Sequence, residues 1–169
     1  MPVRCLRTAA CAAALAVTVM AATVVAASPA HAAPKLWNGR YSMVTYASQK
    51  AGTSAANRQH ETDFSAVFTM STGCGSGVCV ATADGPGSSN PTVPSPQRFS
   101  WDGQQWKAVY DWVWQCSVGG ADQSQWSPAR SFTFYTPQPD GSLRGMWHTD
   151  IAAGYCRGSV VMPVAAFPA

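Results

Sequence analysis

The segment "QRFSWDGQQWKAVYDWVWQC", residues 97 to 116, decides the fold of this chain. Its apolar residues alternate with polar ones, and this period of two is typical of half-buried β-strands. Asp102 and Gly103 interrupt the alternation with a dipeptide that suits the tight turn of a hairpin. The segment therefore predicts two antiparallel strands joined at that turn.

The second strand of this hairpin carries its aromatic residues on one face. The even positions from 106 to 116 hold Trp106, Ala108, Tyr110, Trp112, Trp114 and Cys116, whereas the charged Lys107 and Asp111 stand at odd positions. A disulfide-bonded cysteine belongs inside, so we expect the aromatic face to point inward. On this interpretation the interior also receives Phe64, Phe68, Phe132, Phe134, Leu143 and Trp147.

Further strands are predicted along the rest of the chain. They lie near 39–47, 62–70, 78–84, 130–136, 142–149 and 158–165, with a turn at 139–141 and an irregular external loop at 84–96. Eight short strands without a helix pattern indicate an all-β fold. We expect one antiparallel up-and-down meander of about eight strands, closed as a barrel or packed as a sandwich.

The first 32 residues have the pattern of a targeting segment. Arg4 and Arg7 precede an apolar run, and Ala30-His31-Ala32 then matches the small-residue pattern of a signal-peptidase site. We predict a cleaved secretory signal peptide over 1–32 and a single domain over 33–169, located outside the cell or in its envelope. An uncleaved membrane anchor is the alternative, since the run is long enough to span a bilayer.

Four cysteines remain after such cleavage, and an exported chain meets an oxidising environment. Two disulfides can form in three ways. We favour Cys74 with Cys79 and Cys116 with Cys156, because the three glycines of "GCGSGVC" let a short loop close. The chain has no CxxC pair, so the cysteines do not favour a zinc site. We predict neither a metal nor a cofactor.

The charge of the predicted domain is close to neutral. It holds nine Lys and Arg (eleven less Arg4 and Arg7) against eight Asp and Glu, a formal net charge of +1. The basic residues are also scattered singly. Nucleic acid and anionic membrane surfaces attract clustered basic residues, so neither is a predicted partner.

Candidate catalytic residues are few, and the sequence leans away from an enzyme without deciding the question. Residues 33–169 contain only His60 and His148, and no G-x-S-x-G motif is present. Arg144, His148 and Asp150 share one strand face and predict a surface polar cluster, able to bind an anion or to transfer a proton. The alternative for this cluster is a solvated strand face.

The aromatic face has two interpretations. Its rings form a filled core, or they line a cavity for a small apolar ligand such as an envelope lipid. The second interpretation predicts a secreted ligand-binding module with the residues Trp106, Tyr110, Trp112, Trp114 and Trp147. One alternative is a non-catalytic interaction or sensor module with a filled core, which meets an envelope protein through exposed rings such as Trp37 and Trp126. A hydrolase is the other alternative.

Several short motifs carry a family resemblance. They are Trp37-x-Gly39-x-Tyr41, Phe99-x-Trp101-x-Gly103-x-x-Trp106, Pro139-Asp140-Gly141-x-Leu143-x-Gly145 and Cys156-x-Gly158, together with the other three cysteines. This order resembles small exported proteins of mycobacteria and related actinobacteria. It is also loosely similar to extracellular domains of some actinobacterial membrane kinases. The resemblance implies export and the disulfide pattern, and it carries over no catalytic or binding residue.

Overall fold

The computed structural model describes residues 36–119 and 123–169. The predicted signal peptide, residues 1–32, lies outside the described residues. Eight strands follow one another: β1 Gly39–Thr45, β2 Phe64–Gly75, β3 Val78–Asp84, β4 Gln97–Trp101, β5 Trp106–Ser117, β6 Ser124–Pro137, β7 Leu143–Ile151 and β8 Gly158–Pro168. Two short 3₁₀ turns, Ala47–Gln49 and Ala55–Arg58, connect β1 to β2.

The strands close into a barrel in sequence order. Each strand pairs antiparallel with the next one, and β8 pairs with β1 from Tyr41–Pro168 to Thr45–Val164. This closure confirms the predicted all-β meander and selects the barrel over the sandwich. Full closure also removes the two exposed sheet edges that an open meander would have.

The hairpin of residues 97–116 forms as predicted, with a four-residue turn between β4 and β5. Gly103 adopts a φ of 105°, in the left-handed region that glycine tolerates. The Asp102 carboxylate accepts hydrogen bonds from the backbone N–H groups of Gln104 at 2.9 Å and Gln105 at 2.8 Å. The same carboxylate forms an ion pair with Lys107, which follows the turn.

The aromatic face of β5 points into the barrel, as predicted. Trp106 and Trp114 are buried, and Tyr110 and Trp112 are half-buried, whereas Lys107 and Asp111 are exposed. The paired strand β6 offers small side chains to these rings. Ala129 stands opposite Trp112, Ser127 opposite Trp114 and Ser131 opposite Tyr110. Large residues on one strand therefore fill the space that small residues leave on the next.

This arrangement corrects the predicted position of Phe132 and Phe134. Both residues face outward, because the inward positions of β6 are the odd ones that carry the small residues and Tyr135. Phe64 is also 53% exposed, since it begins β2 at the rim of the barrel. Leu143 is buried and Trp147 half-buried on the inward face of β7, as predicted.

Strand β6 is longer than the sequence predicts, because it begins at Ser124 rather than near Arg130. Polar residues and Pro128 obscure the alternation there. The Pro128 carbonyl nevertheless accepts a hydrogen bond from the backbone N–H of Ala152 at 2.8 Å. Residues before Ala129 pair with β5, and β7 joins on the other side only from Ala129 onward.

Trp37 fills one end of the barrel, which corrects the expectation that it lies on the surface beside Trp126. Its side chain is 1% exposed, and its ring centre lies 5.1 Å from that of Tyr135 and 5.2 Å from that of Phe99. The backbone on either side of this ring is fixed by Thr72. The backbone N–H of Trp37 donates to the Thr72 hydroxyl at 3.0 Å, and this hydroxyl donates to the backbone carbonyl of Trp37 at 2.8 Å.

Both disulfides form as predicted. Cys74–Cys79 joins facing residues of the β2–β3 hairpin. Cys116–Cys156 joins the end of β5 to the segment between β7 and β8, across 40 residues of sequence. Around this second bridge the Ser54 hydroxyl donates to the Cys156 carbonyl at 2.5 Å and accepts from the Ala56 N–H at 3.0 Å.

The loop between β3 and β4, residues 85–96, covers a gap in the barrel wall. Strand β4 pairs with β5 only through Ser100–Lys107 and Trp101–Trp106, which leaves the rest of β5 without a partner on that side. The loop supplies two side chains instead. Asn90 donates to the Val113 carbonyl at 2.7 Å, and the Val113 N–H donates to the Thr92 hydroxyl at 3.0 Å.

We expect Trp37→Ala to lower the free energy of unfolding by about 3–5 kcal/mol, because truncation of a fully buried indole leaves a cavity. Denaturant unfolding followed by circular dichroism measures this change. Trp126→Ala is the matched control, since Trp126 is 51% exposed and should change stability by at most about 0.5 kcal/mol. Equal losses in the two variants would contradict the placement of Trp37.

We expect the Asp102–Lys107 pair to stabilise the protein only above acidic pH. The hydrogen bond from Lys107, aided by those of the turn backbone, lowers the pKa of Asp102 to about 2 from its ordinary value of 3.8. A lowered folded-state pKa contributes stability above the unfolded pKa, and this contribution disappears as the pH falls through the folded value. The difference in unfolding free energy between the native protein and Asp102→Asn should therefore be constant near neutrality and shrink between about pH 4 and pH 2. When Lys107 is replaced by Met in both proteins, the change in unfolding free energy caused by Asp102→Asn should vary much less with pH.

Candidate functional sites on the barrel

The middle of the barrel contains a polar node around Ser131 on β6. The Ser131 hydroxyl accepts hydrogen bonds from the indole N–H of Trp112 at 2.8 Å and of Trp147 at 2.9 Å. It also lies 2.8 Å from the Thr149 hydroxyl on β7. Either hydroxyl can donate in this contact, because each carries one proton and two acceptor positions. Both hydroxyl side chains are completely buried.

Tyr110 borders this node on β5, directly across from Ser131. Burial raises the pKa of the Tyr110 phenol, and hydrogen bonds with Ser131 and Thr133 act in the opposite direction. Burial also raises the pKa of Tyr135, which packs deeper in the interior. Both phenols are therefore neutral at physiological pH, where they serve as hydrogen-bonding groups rather than charges.

The structure separates the five residues predicted for ligand binding into three places. Tyr110, Trp112 and Trp147 surround the polar node, where the Trp112 and Trp147 rings are stacked with their centres 6.0 Å apart. Trp106 lies near Trp37 at one end of the barrel, and Trp114 lies in the apolar cluster beside Cys116 at the other end. Sequence reasoning missed Ser131 and Thr149, which are visible only once the register of β5, β6 and β7 is known.

A small pocket with polar and apolar surface in similar amounts opens at the Trp37 end. We call it the end pocket; it has a volume of about 200 Å³ and is lined chiefly by Leu36, Trp37, Tyr41, Trp106, Pro137 and Leu143. Trp37 and Trp106 are fully buried, and their indole N–H groups have no acceptor among the described residues. A buried donor without an acceptor carries an energetic cost.

A larger polar concavity of about 700 Å³ includes His60, one of the two histidines considered for catalysis. Its lining also contains Gln59, Glu61, Gln115, Ser117 and Ser124. Glu61 forms an ion pair with Lys50 at 3.1 Å, and Gln59 donates to the Ser117 carbonyl at 2.6 Å. Glu61 and Gln59 therefore have structural partners already.

The predicted surface polar cluster is only partly brought together. His148 Nε2 lies 2.7 Å from Asp150 Oδ1 on the outer face of β7. Arg144 turns away from this pair, with its guanidinium 4.8 Å from the centre of the Phe167 ring. Arg130, on the neighbouring strand, pairs with Asp111 at 3.3 Å instead of with Asp150. The histidine–carboxylate pair thus stands without an adjacent cation partner of its own.

The outer face of β5–β8 carries an unexpected apolar surface. We call it the outer apolar band; it runs across four strands in two rows and consists of Val109, Phe132, Phe134, Met146, Val161 and Pro163. Val109 is 52% exposed and Phe132 38% exposed. His148 continues the Val109–Phe132 row, with its ring centre 6.2 Å from that of Phe132. Two charged residues of β5 border the band. Lys107 stands beside Phe134 at the end of one row, and Asp111 stands one row beyond Val109.

Within residues 36–119 and 123–169, no three His, Cys, Asp or Glu side chains come together as a metal site. In the same part of the chain, no helix has the length and apolar character needed to cross a membrane.

Two solved structures of the PknI sensor domain from M. tuberculosis share the fold of this chain. The monomer form has a TM-score of 0.58 and 18% identity, covering 81% of this chain and 90% of that chain. The dimer form has a TM-score of 0.50 and 21% identity, covering 64% and 73%. No protein-family model and no curated protein matches the sequence. The likeness shows a common fold with this sensor domain, and it confirms the loose similarity predicted from the motifs.

We expect Ser131→Ala to lower the free energy of unfolding by about 1–3 kcal/mol, because two buried indole N–H groups lose their acceptor. Ser65→Ala on the exposed face of β2 is the matched control and should be nearly neutral. Urea unfolding of both variants gives the two values. The double variant Trp112→Phe/Trp147→Phe lacks both indole donors, so Ser131→Ala should lower its unfolding free energy by less. A loss as large as in the native protein would argue against the node.

Proposed function

We propose that this chain is an exported, non-catalytic interaction module of the sensor type, with residues 33–169 as its mature domain after removal of residues 1–32. The predicted signal sequence supports export, and two disulfides are typical of proteins in oxidising compartments. The fold shared with a kinase sensor domain supports the sensor role.

The outer apolar band carries this proposal. Six apolar side chains lie on the outer face of β5–β8; Val109 and Phe132 are exposed and the other four are half-buried, with His148 between Phe132 and Val161 in one row. A contiguous exposed apolar surface with charged residues at its border is typical of a protein interface. The buried rings at the Trp37 end support the same role, because a filled core leaves the outer surface available for recognition.

We propose a second copy of the chain as the partner on this band. Lys107 and Asp111 lie two residues to either side of Val109 on β5. A two-fold axis across the strands at the level of Val109 places Lys107 of each copy opposite Asp111 of the other, and it stacks the Val109–Phe132 row of one copy on the same row of the other. The row of Phe134, Met146 and Pro163 then faces the polar row of Arg130, Asp150 and Ser159. Such a contact is isologous, as in most homodimers. The PknI sensor domain has been solved in both a monomer form and a dimer form.

We expect sedimentation velocity of the mature domain to show a reversible monomer–dimer equilibrium, and Phe132→Ser to weaken it at least tenfold because an interface anchor is lost. Val67→Ser is the matched control, since Val67 is an exposed apolar residue on β2, outside the band. Lys107→Asp should weaken association, and Lys107→Asp combined with Asp111→Lys should restore part of it. A domain that stays monomeric at millimolar concentration would overturn self-association at the band.

A second candidate function is the binding of a small apolar ligand. One observation favours it: apolar and aromatic residues make up most of the lining of the end pocket, and Trp106, one of the five residues predicted for ligand binding, is among them. Tyr110, Trp112 and Trp147 already direct their polar groups to the node around Ser131, so we assign the ligand to the end pocket rather than to the middle of the barrel. Ligand binding at this end is compatible with dimer formation on the outer wall.

A further inference from the structure

We infer that the end pocket binds an uncharged apolar group that carries a hydrogen-bond acceptor, such as a carboxylic ester, with Trp37 or Trp106 as the donor. This inference rests on the second candidate function and is independent of association at the outer apolar band. It specifies the chemistry of the ligand, its size and the two indole groups that recognise it.

The size of the end pocket limits the ligand. A dry apolar cavity of about 150 Å³ accommodates benzene, so the end pocket, with about 200 Å³, accommodates a ring or short alkyl group with a few further atoms. Most sites for drug-sized ligands are larger, about 300–1,000 Å³. The pocket therefore fits a small molecule, or only the terminal part of a longer one.

The lining of the pocket excludes a charged ligand. Leucine, tryptophan, tyrosine, proline, glycine and one glutamine make up the lining, with no ionisable acid or base apart from the tyrosine phenol. The glutamine, Gln138, donates its amide to the Thr136 carbonyl at 2.9 Å. An ion in such a site would lose its hydration without gaining a counter-charge.

The indole N–H groups of Trp37 and Trp106 favour a ligand that carries a hydrogen-bond acceptor. Trp37 and Trp106 pack with their ring centres 6.3 Å apart, and neither N–H reaches an acceptor in the described part of the chain. The indole N–H groups of Trp101 and Trp114 also lack an acceptor in this part of the chain, but neither residue lines the pocket. The half-buried Trp112 and Trp147 both donate to Ser131. Both N–H groups at the end pocket are buried, so the bound state requires a small ring rotation that presents one of them to the ligand. The hydrogen bond then formed offsets the cost of burying that donor.

Indole resonances give a direct test. The chain has seven tryptophans, so a ¹⁵N-labelled mature domain gives a small, resolvable set of indole N–H signals. We expect methyl benzoate to bind saturably at one site and to move the proton signal of Trp37 or Trp106 downfield. sec-Butylbenzene, which has similar size and no acceptor, should perturb the same signals without the downfield shift. Benzoate anion should not bind. Ester-induced shifts confined to other tryptophans, equal binding of benzoate, or no saturable binding would overturn the inference.

Variants at the rim locate the site without disturbing the core. Leu36 is 59% exposed beside the pocket, and Val78 is 54% exposed on β3, outside it. Leu36→Ser should raise the dissociation constant of methyl benzoate about fivefold through lost apolar contact, and Val78→Ser should leave it unchanged. Equal effects of both substitutions would contradict the assigned site. Phe132→Ser should retain full ester binding, so a failure of the dimer proposal does not affect this test.

Two sources can supply such an ester, a free small molecule or the acyl end of a lipid. Monomeric dihexanoylphosphatidylcholine distinguishes them. The same downfield shift with this lipid assigns the site to an acyl ester, whereas its absence, with methyl benzoate binding intact, assigns a free small molecule.

Discussion

The packing of the β5 aromatic residues against the small residues of β6 is the constraint on which the barrel depends. Eight strands leave an interior only wide enough for side chains or for one small ligand. Three large rings of β5 fit because Ser127, Ala129 and Ser131 face them. The same register turns Phe132 and Phe134 outward. One packing relationship thus fills the core and also creates the outer apolar band.

Two covalent links reinforce the barrel, one within the β2–β3 hairpin and one at the gap beside β5. Loop-closure entropy assigns about 4 kcal/mol to a bridge across 40 residues and about 2 kcal/mol to one across five. The longer bridge, Cys116–Cys156, holds the end of β5 that lacks β4 as a neighbour. Asn90 and Thr92 complete the hydrogen bonding of β5 at Val113. The gap beside β5 is therefore closed by a loop and a disulfide rather than by a strand.

The sequence was sufficient for the strands and the disulfide pairs, because alternation and turn residues are local signals. It was insufficient for Trp37, which precedes β1 and lies in no alternating run, so only the closed barrel shows that this ring fills an end. It also misplaced Phe132 and Phe134, since two alternating faces of an isolated strand are equivalent until its neighbours are known. The node around Ser131 depends on three strands in register, and no single segment encodes it.

The distribution of acceptors among the tryptophans links the core to the proposed ligand. The barrel supplies Ser131 as an acceptor for the two half-buried indoles in its middle, yet among the described residues it supplies none for four other buried indole N–H groups, those of Trp37, Trp101, Trp106 and Trp114. Of these four residues, Trp37 and Trp106 line the end pocket. A domain stabilised only by apolar packing could hold phenylalanine at these two positions without the cost of an unpaired donor. Tryptophan at the end pocket retains a donor that a ligand can use.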